Sequence, residues 1–180
     1  MKYDFESAEK AKEIIDSKVI YSGSYEDNEE NSVLEIPEGI EEIAENAFRD
    51  FENLTVIKFP KTLVKISASA FSGCKNLREL SFSEGLVEIS DEAFAFCSSL
   101  LSVNMPNSVK RIGEGAFEGC ASLSNLKISE SCEMIGSGAF SYCFNLVMLP
   151  FRTVCFLLSL MLLLRVSLLR ESSFLPRWDL

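Results

Sequence analysis

Residues 80–99 read LSFSEGLVEISDEAFAFCSS, and residues 103–123 read VNMPNSVKRIGEGAFEGCASL. A shift of 23 residues aligns the two stretches and lays Phe94 on Phe117. The same shift aligns residues throughout 33–151. A fixed period of this length is typical of proteins in which similar units stack along one axis. We call one 23-residue unit a coil, and we call the residues at one position in successive coils a column.

Five apolar columns recur at every coil. They are Ile43, Ile66, Ile89, Ile112 and Ile135; Ala47, Ala70, Ala93, Ala116 and Ala139; Phe48, Phe71, Phe94, Phe117 and Phe140; Leu54, Leu77, Leu100, Leu123 and Leu146; and Ile57, Leu80, Val103, Leu126 and Leu149. A coil of 23 residues cannot bury its own apolar face, so neighbouring coils must stack, with parallel strands about 4.8 Å apart. The sequence therefore predicts a repeat solenoid of about five coils over residues 33–151.

Three segments make up each coil. The pattern Leu-x-x-Leu-x-Phe alternates inward and outward at its end, which predicts a short strand. The pattern Val/Leu-x-x-Ile predicts a second short extended segment. The pattern Ala-Phe-x-x-Cys is too brief for a full helix, and we expect one turn of 3₁₀ or α geometry there. The predicted class is an α/β-type repeat solenoid that is mainly β.

The unit resembles the 23-residue leucine-rich repeat of the BspA-like family, and the resemblance covers about Val33 to Phe151. It implies a leucine-rich repeat fold with parallel strands. Members of that family are mostly surface-exposed binding or adhesion proteins without known catalytic activity. The resemblance therefore implies a protein–protein interaction or adhesion module at the cell surface.

The ends of the chain differ from the repeats. We interpret residues 1–32 as a cap made of an N-terminal helix and an acidic linker, because apolar residues over Asp4 to Lys18 fall near one helical face. A solenoid exposes an apolar end and an unpaired strand edge, so a capping element is expected. No basic start followed by an apolar run is present in residues 1–18, which favours either an intracellular, cytoplasmic location or a missing 5′ end of the gene.

Residues 152–180 form an atypical tail rich in Leu and Arg. Residues 153–169 are at the short limit of a membrane span and include Arg165, so a membrane contact is expected only through this segment, if at all. A degenerate sixth coil is a second interpretation. A shift of reading frame, which would change residue usage in one step, is a third, and we favour it.

Composition narrows the classes of function. The chain carries 17 Lys and Arg against 27 Asp and Glu, a net charge of −10, which is the wrong sign for a surface that attracts nucleic acid. It contains no histidine, which removes histidine-based nucleophile activation and histidine metal sites. We therefore expect no enzyme, no catalytic residue, no metal site and no cofactor.

One column carries cysteine in four coils and phenylalanine in the first. Its members are Phe51, Cys74, Cys97, Cys120 and Cys143. Because phenylalanine replaces cysteine there, burial accounts for the column better than thiol chemistry, and free cysteine packs as a small apolar residue. Parallel Cβ vectors in stacked coils disfavour disulfides. The sequence predicts buried free thiols.

With the interior positions occupied by packing residues, the outward positions of the main strands are the candidate binding residues. They are Val56, Lys58, Glu79, Ser81, Ser102, Asn104, Asn125 and Lys127. Solenoids bind other macromolecules on such extended faces, so we expect a protein or glycoprotein partner here. An intracellular leucine-rich repeat scaffold, or a truncated, non-functional fragment of a larger surface protein, is the alternative.

Overall fold

The computed structural model of the protein describes residues 17–20 and 32–146. These residues contain eleven short strands in two sets. The three-residue strands are β2 (Val33–Glu35), β4 (Val56–Lys58), β6 (Glu79–Ser81), β8 (Ser102–Asn104) and β10 (Asn125–Lys127). The two-residue strands are β1 (Val19–Ile20), β3 (Glu42–Ile43), β5 (Lys65–Ile66), β7 (Glu88–Ile89), β9 (Arg111–Ile112) and β11 (Met134–Ile135).

The two-residue strands form one six-stranded parallel sheet in the order β1-β3-β5-β7-β9-β11. Each strand pairs with the strand one period later, so that Ile43 lies beside Ile66 and Ile66 beside Ile89. The first strand, Val19–Ile20, lies within the stretch that we interpreted as a cap, and it joins the sheet through β3. The stacked parallel strands confirm a mainly β solenoid of about five coils.

The three-residue strands form a second parallel face that is interrupted in the middle. β2, β4 and β6 form one ladder, and β8 and β10 form another. Between β6 and β8 no strand pairing is present among the described residues, and the Leu101 N–H donates to the Arg78 carbonyl at 3.3 Å where the two coils meet. The face therefore consists of two blocks.

The segment after each short strand is a series of turns and not a helix. In residues 45–50 the Ala47 N–H donates within its own coil, to the carbonyl of Ala44, whereas the Phe48 N–H donates to Ala70 of the next coil. Asn46 and Asp50, with φ of 57° and 59°, lie in the left-handed region, which a right-handed helix cannot include. The expected 3₁₀ or α turn is therefore wrong, because alternate N–H groups bind the neighbouring coil. Residues 68–73, 91–96 and 114–119 repeat the bonds to the next coil, and residues 137–142 repeat the left-handed positions and the bonds within the coil; we call all five the turn segments.

The phenylalanine column lies along the axis of the solenoid. Phe48, Phe71, Phe94, Phe117 and Phe140 are all buried. Successive rings are nearly parallel, with centroids 5.0, 5.2, 5.3 and 5.5 Å apart. The predicted stacking of identical positions is confirmed.

Two predictions fall outside the described residues. The helix expected over residues 4–18 lies there apart from Ser17 and Lys18, and Lys18 has a φ of 60° in a turn. The tail over 152–180 lies there entirely. Within the described residues, no helix has the length and apolar character that crossing a membrane requires.

Candidate binding surface

The eight predicted binding residues occupy the first and third positions of the strands β4, β6, β8 and β10. The middle residue of each strand points inward; Ile57 and Val103, for example, are buried. Val56 is half-buried and the other seven are exposed. We call these eight residues the outer strip.

Strand register brings members of the outer strip together in pairs. Val56 lies beside Glu79 and Lys58 beside Ser81 in the first block. In the second block Ser102 lies beside Asn125, and Asn104 lies beside Lys127. The strip therefore presents hydroxyl, amide, ammonium and carboxylate groups at fixed spacings. This set can donate and accept hydrogen bonds along an extended partner.

The short-strand sheet has an outward row that the sequence reasoning missed. It alternates in charge through Glu42, Lys65, Glu88 and Arg111, and the Lys65 Nζ lies 3.7 Å from the Glu42 Oε1. The Ser67 hydroxyl donates to Glu42 at 2.6 Å. A hollow of about 390 Å³ lies beside this row, next to β1, β3 and β5. Because these charges alternate along the ladder, they offset one another. The row could have been predicted from the sequence, where the sign of the charge changes every 23 residues.

The cysteine column lies inside the solenoid. Cys74, Cys97 and Cys120 are buried and free, and Cys143 is free and half-buried. The Cys97 Sγ donates to the carbonyl of Phe71 at 3.3 Å. Burial raises the pKa of Cys97 well above its ordinary value, and the neighbouring thiols raise it further. The predicted buried thiols are confirmed, and they are poor nucleophiles because the thiolate is disfavoured.

Burial also raises the pKa of three further thiols among the described residues. It raises the pKa of Cys120, and it raises the pKa of Cys143 to about 12. The half-buried Cys132 also has a raised pKa, again mainly through burial. Within residues 17–20 and 32–146, no cluster of three or more Cys, Asp or Glu has the arrangement of a metal site.

Three exposed aromatic residues were also missed. Phe96 and Tyr142 share a column in which Gly73 and Gly119 alternate with them, and Phe144 follows two residues after Tyr142. Their exposed fractions are 52%, 51% and 71%. The alternation of glycine with large residues was visible in the sequence, but it did not indicate on which side of the coil the rings lie.

Comparison with protein families assigns the repeat. The model described as the BspA type leucine rich repeat region matches residues 18–147 in six copies. The chain belongs to the BspA-type leucine-rich repeat family. The matched region begins with the coil that carries β1, one coil earlier than the five coils counted from residue 33.

Two solved structures support the same fold for this BspA-type chain. A leucine-rich repeat protein from Bacteroides ovatus is 25% identical, with a TM-score of 0.62, and the match covers 81% of this chain and 38% of that protein. A leucine rich cell surface protein from Faecalibacterium prausnitzii is 27% identical, with a TM-score of 0.56, and the match covers 66% of this chain and 38% of that protein. The BspA-type chain thus spans less than half the length of either relative. No curated protein matches it.

Proposed function

We propose that this chain is a binding module that holds a protein or glycoprotein partner on the outer strip. The observation that carries the proposal is that seven of the eight strip residues are exposed on strands whose middle residues pack inward. The buried columns are occupied by packing, and the outward positions are left to contact a partner. Membership of the leucine-rich repeat family supports a binding role.

The backbone ladder makes the strip suitable for this role. Its side chains stand on paired parallel strands, so their spacing is set by hydrogen bonds in the backbone and little order is lost when a partner binds. Lys58 lies in one block of the strip and Lys127 in the other, and the neutral Ser81 and Asn104 stand between them in the same column, while Glu79 lies beside Val56. Such an arrangement favours an extended, polar partner over a compact apolar one.

A partner can be sought by affinity capture with the full chain, followed by cross-linking to map the contact. Once a partner is identified, the triple variant Lys58→Ala, Glu79→Ala, Lys127→Ala should weaken binding by about tenfold or more, since residues central to an interface contribute most of its energy. A matched control removes the same charges elsewhere, at the exposed Lys61, Glu84 and Lys110. Equal affinities for the two triple variants would contradict the strip as the contact face.

We further propose a cell-surface location, which the likeness to the leucine rich cell surface protein from Faecalibacterium prausnitzii supports. Fractionation of the producing cells, with surface protease treatment of intact cells, tests it. Recovery of the chain in the cytosolic fraction, protected from protease, would favour the intracellular scaffold instead.

A further inference from the structure

Two of the later coils carry exposed aromatic residues in or just after their turn segments, and none of these residues belongs to the outer strip. They are Phe96, Tyr142 and Phe144, and we call these three the aromatic surface. The rings of Tyr142 and Phe144 meet edge to face with centroids 6.1 Å apart. Single exposed apolar residues are ordinary on a protein surface, but three exposed aromatic residues in two coils with a single coil between them call for an explanation.

Backbone geometry indicates that the column of Phe96 and Tyr142 suits glycine better than a large side chain. Phe96 and Tyr142 both have a φ of 60°, a conformation that is unfavourable for bulky residues and that glycine adopts freely. Glycine occupies the same column at Gly73 and Gly119, with φ of 78° and 69°. A Cβ at Gly119 would lie 2.7 Å from Phe96 Cδ1, so the Phe96 ring lies over the glycine of the next coil. The backbone accepts glycine here, yet the chain carries exposed rings.

Acidic groups predominate in the coils that carry these rings and in the coil between them, taken together, whereas the coil before Phe96 carries Lys75. Residues 90–99, 113–122 and 136–145 contain the carboxylates Asp91, Glu92, Glu114 and Glu118 and no Lys or Arg. The Glu92 and Glu118 side chains both approach Gly115, where a Cβ would lie 3.5 Å from Glu92 Cγ and 3.2 Å from Glu118 Oε2. Within the described part of the chain, no ion pair joins these four groups to a cation. The surface therefore combines aromatic faces with carboxylates.

We propose that the aromatic surface docks an arginine-containing segment of a protein partner. A guanidinium stacks on an aromatic face and, at the same time, donates paired hydrogen bonds to a carboxylate, and these coils carry both kinds of group. The inference goes beyond the outer strip, because it uses residues outside the strands and a different chemistry. A lysine segment would match the charge but not the flat stacking, so arginine is the better occupant.

The test measures binding of short fluorescent peptides to the full chain by anisotropy. One peptide alternates Arg with Ser, a second replaces Arg by Lys, and a third replaces Arg by Gln. We expect the Arg peptide to bind about fivefold more tightly than the Lys peptide, and the Gln peptide not to bind. The double variant Phe96→Gly, Tyr142→Gly keeps residues that suit the backbone and should lower the affinity for the Arg peptide by about fivefold or more.

Matched controls separate this contact from attraction to a chain of net charge −10. Leu101→Ala, at a side chain that is 50% exposed, removes apolar surface elsewhere and should change nothing. Glu92→Gln with Glu118→Gln should weaken binding more than Glu84→Gln with Glu130→Gln, which makes the same charge change in other loops. Equal binding of the Arg and Lys peptides, or equal losses in test and control variants, would overturn the proposal.

The outer strip is tested independently by the same titration. The triple variant of Lys58, Glu79 and Lys127 should bind the Arg peptide as the unmodified chain does. A loss in that variant equal to the loss in the aromatic variant would count against the aromatic surface as a separate site.

Discussion

At the scale of single residues, the phenylalanine column links every coil to two neighbours. The Phe94 ring lies 5.2 Å from Phe71 and 5.3 Å from Phe117, centroid to centroid, and is nearly parallel to both. It also meets Phe82 edge to face at 5.9 Å. Removing one ring therefore leaves a void between three coils and not a local gap in one.

We expect Phe94→Ala to lower the free energy of unfolding by about 3 to 5 kcal/mol, as large-to-small changes in a core do. Urea denaturation followed by circular dichroism measures the change. Phe144→Ala is the control, and because its ring is largely exposed it should cost about 0.5 kcal/mol or less. A loss for Phe94→Ala as small as that of the control would show that the ring does not fill the core.

The buried thiols predict how stability depends on alkaline pH. Free thiols ionise near pH 8.5 in an unfolded chain, whereas burial raises the pKa of Cys97, Cys120 and Cys143. Above about pH 8.5 the unfolded state releases protons that the folded state keeps, so the free energy of unfolding falls as pH rises. Below that pH both states are protonated and the contribution is fully present.

Denaturation in the presence of a reductant, repeated at increasing pH from neutrality, measures this fall. Cys97→Ala should reduce the decrease of the free energy of unfolding at alkaline pH, because one thiol with a raised pKa is lost. It should also lower the free energy of unfolding at neutral pH, because the packing of the buried side chain is lost. The two proteins differ only at this position, so the difference between the two curves reports Cys97 together with its effect on the neighbouring thiols. Parallel curves would contradict the raised pKa.

Residue identity predicted the interior well and the backbone poorly. Burial depends on apolar character at a fixed period, so the columns of Ala70 and Phe71 were readable. The left-handed backbone at Glu92 and Phe96 could not be predicted from the sequence, because neither residue type favours that conformation and only stacking on the next coil imposes it. The aromatic surface was missed for the same reason.

At the scale of elements, the strands and the turn segments use the backbone differently. Strands pair every coil to the next with the usual parallel ladder, which alternation in the sequence predicted. The turn segments direct alternate N–H groups to the next coil, as the Phe48 N–H does to Ala70 and the Phe71 N–H does to Ala93, both at 2.8 Å. A short Ala-Phe sequence does not distinguish this pattern from a helical turn, because both contain bonds between residues three apart.

The gap between β6 and β8 predicts a local weakness in the outer face. The Asn104 amide lies on the side of β8 that faces β6, where no strand pairing is present, whereas the Lys127 amide lies on β10, which pairs with β8. We expect the Asn104 amide to exchange with solvent at least about tenfold faster than the Lys127 amide, since exchange reports local opening of backbone hydrogen bonds. Native-state hydrogen exchange by NMR measures both. Equal protection would indicate a continuous face in solution.

At the scale of the whole molecule, acidic groups outnumber basic ones. The net charge is −10, and the alternating row of the short-strand sheet offsets only its own charges. Exposed ion pairs contribute about 0 to 1 kcal/mol each, so long-range repulsion among the excess carboxylates should outweigh them.

Moderate salt should therefore raise the melting temperature, because a Debye length of about 8 Å at physiological ionic strength screens that repulsion. Thermal unfolding in a low-ionic-strength buffer with increasing NaCl measures the effect. Glu92→Gln with Glu118→Gln should reduce the salt dependence, since both changes remove charge from the acidic turn segments. A melting temperature that falls with salt would mean that the ion pairs dominate.

The in-register pairing of the two-residue strands, each with its equivalent 23 residues later, makes the length of the molecule adjustable in equal steps. Duplicating one period within the gene would move everything beyond it by one strand spacing, about 4.8 Å, and would leave all earlier contacts as they were. Gain or loss of whole periods during evolution can therefore change the length of the protein to match the length of its binding partner, while the buried columns stay the same.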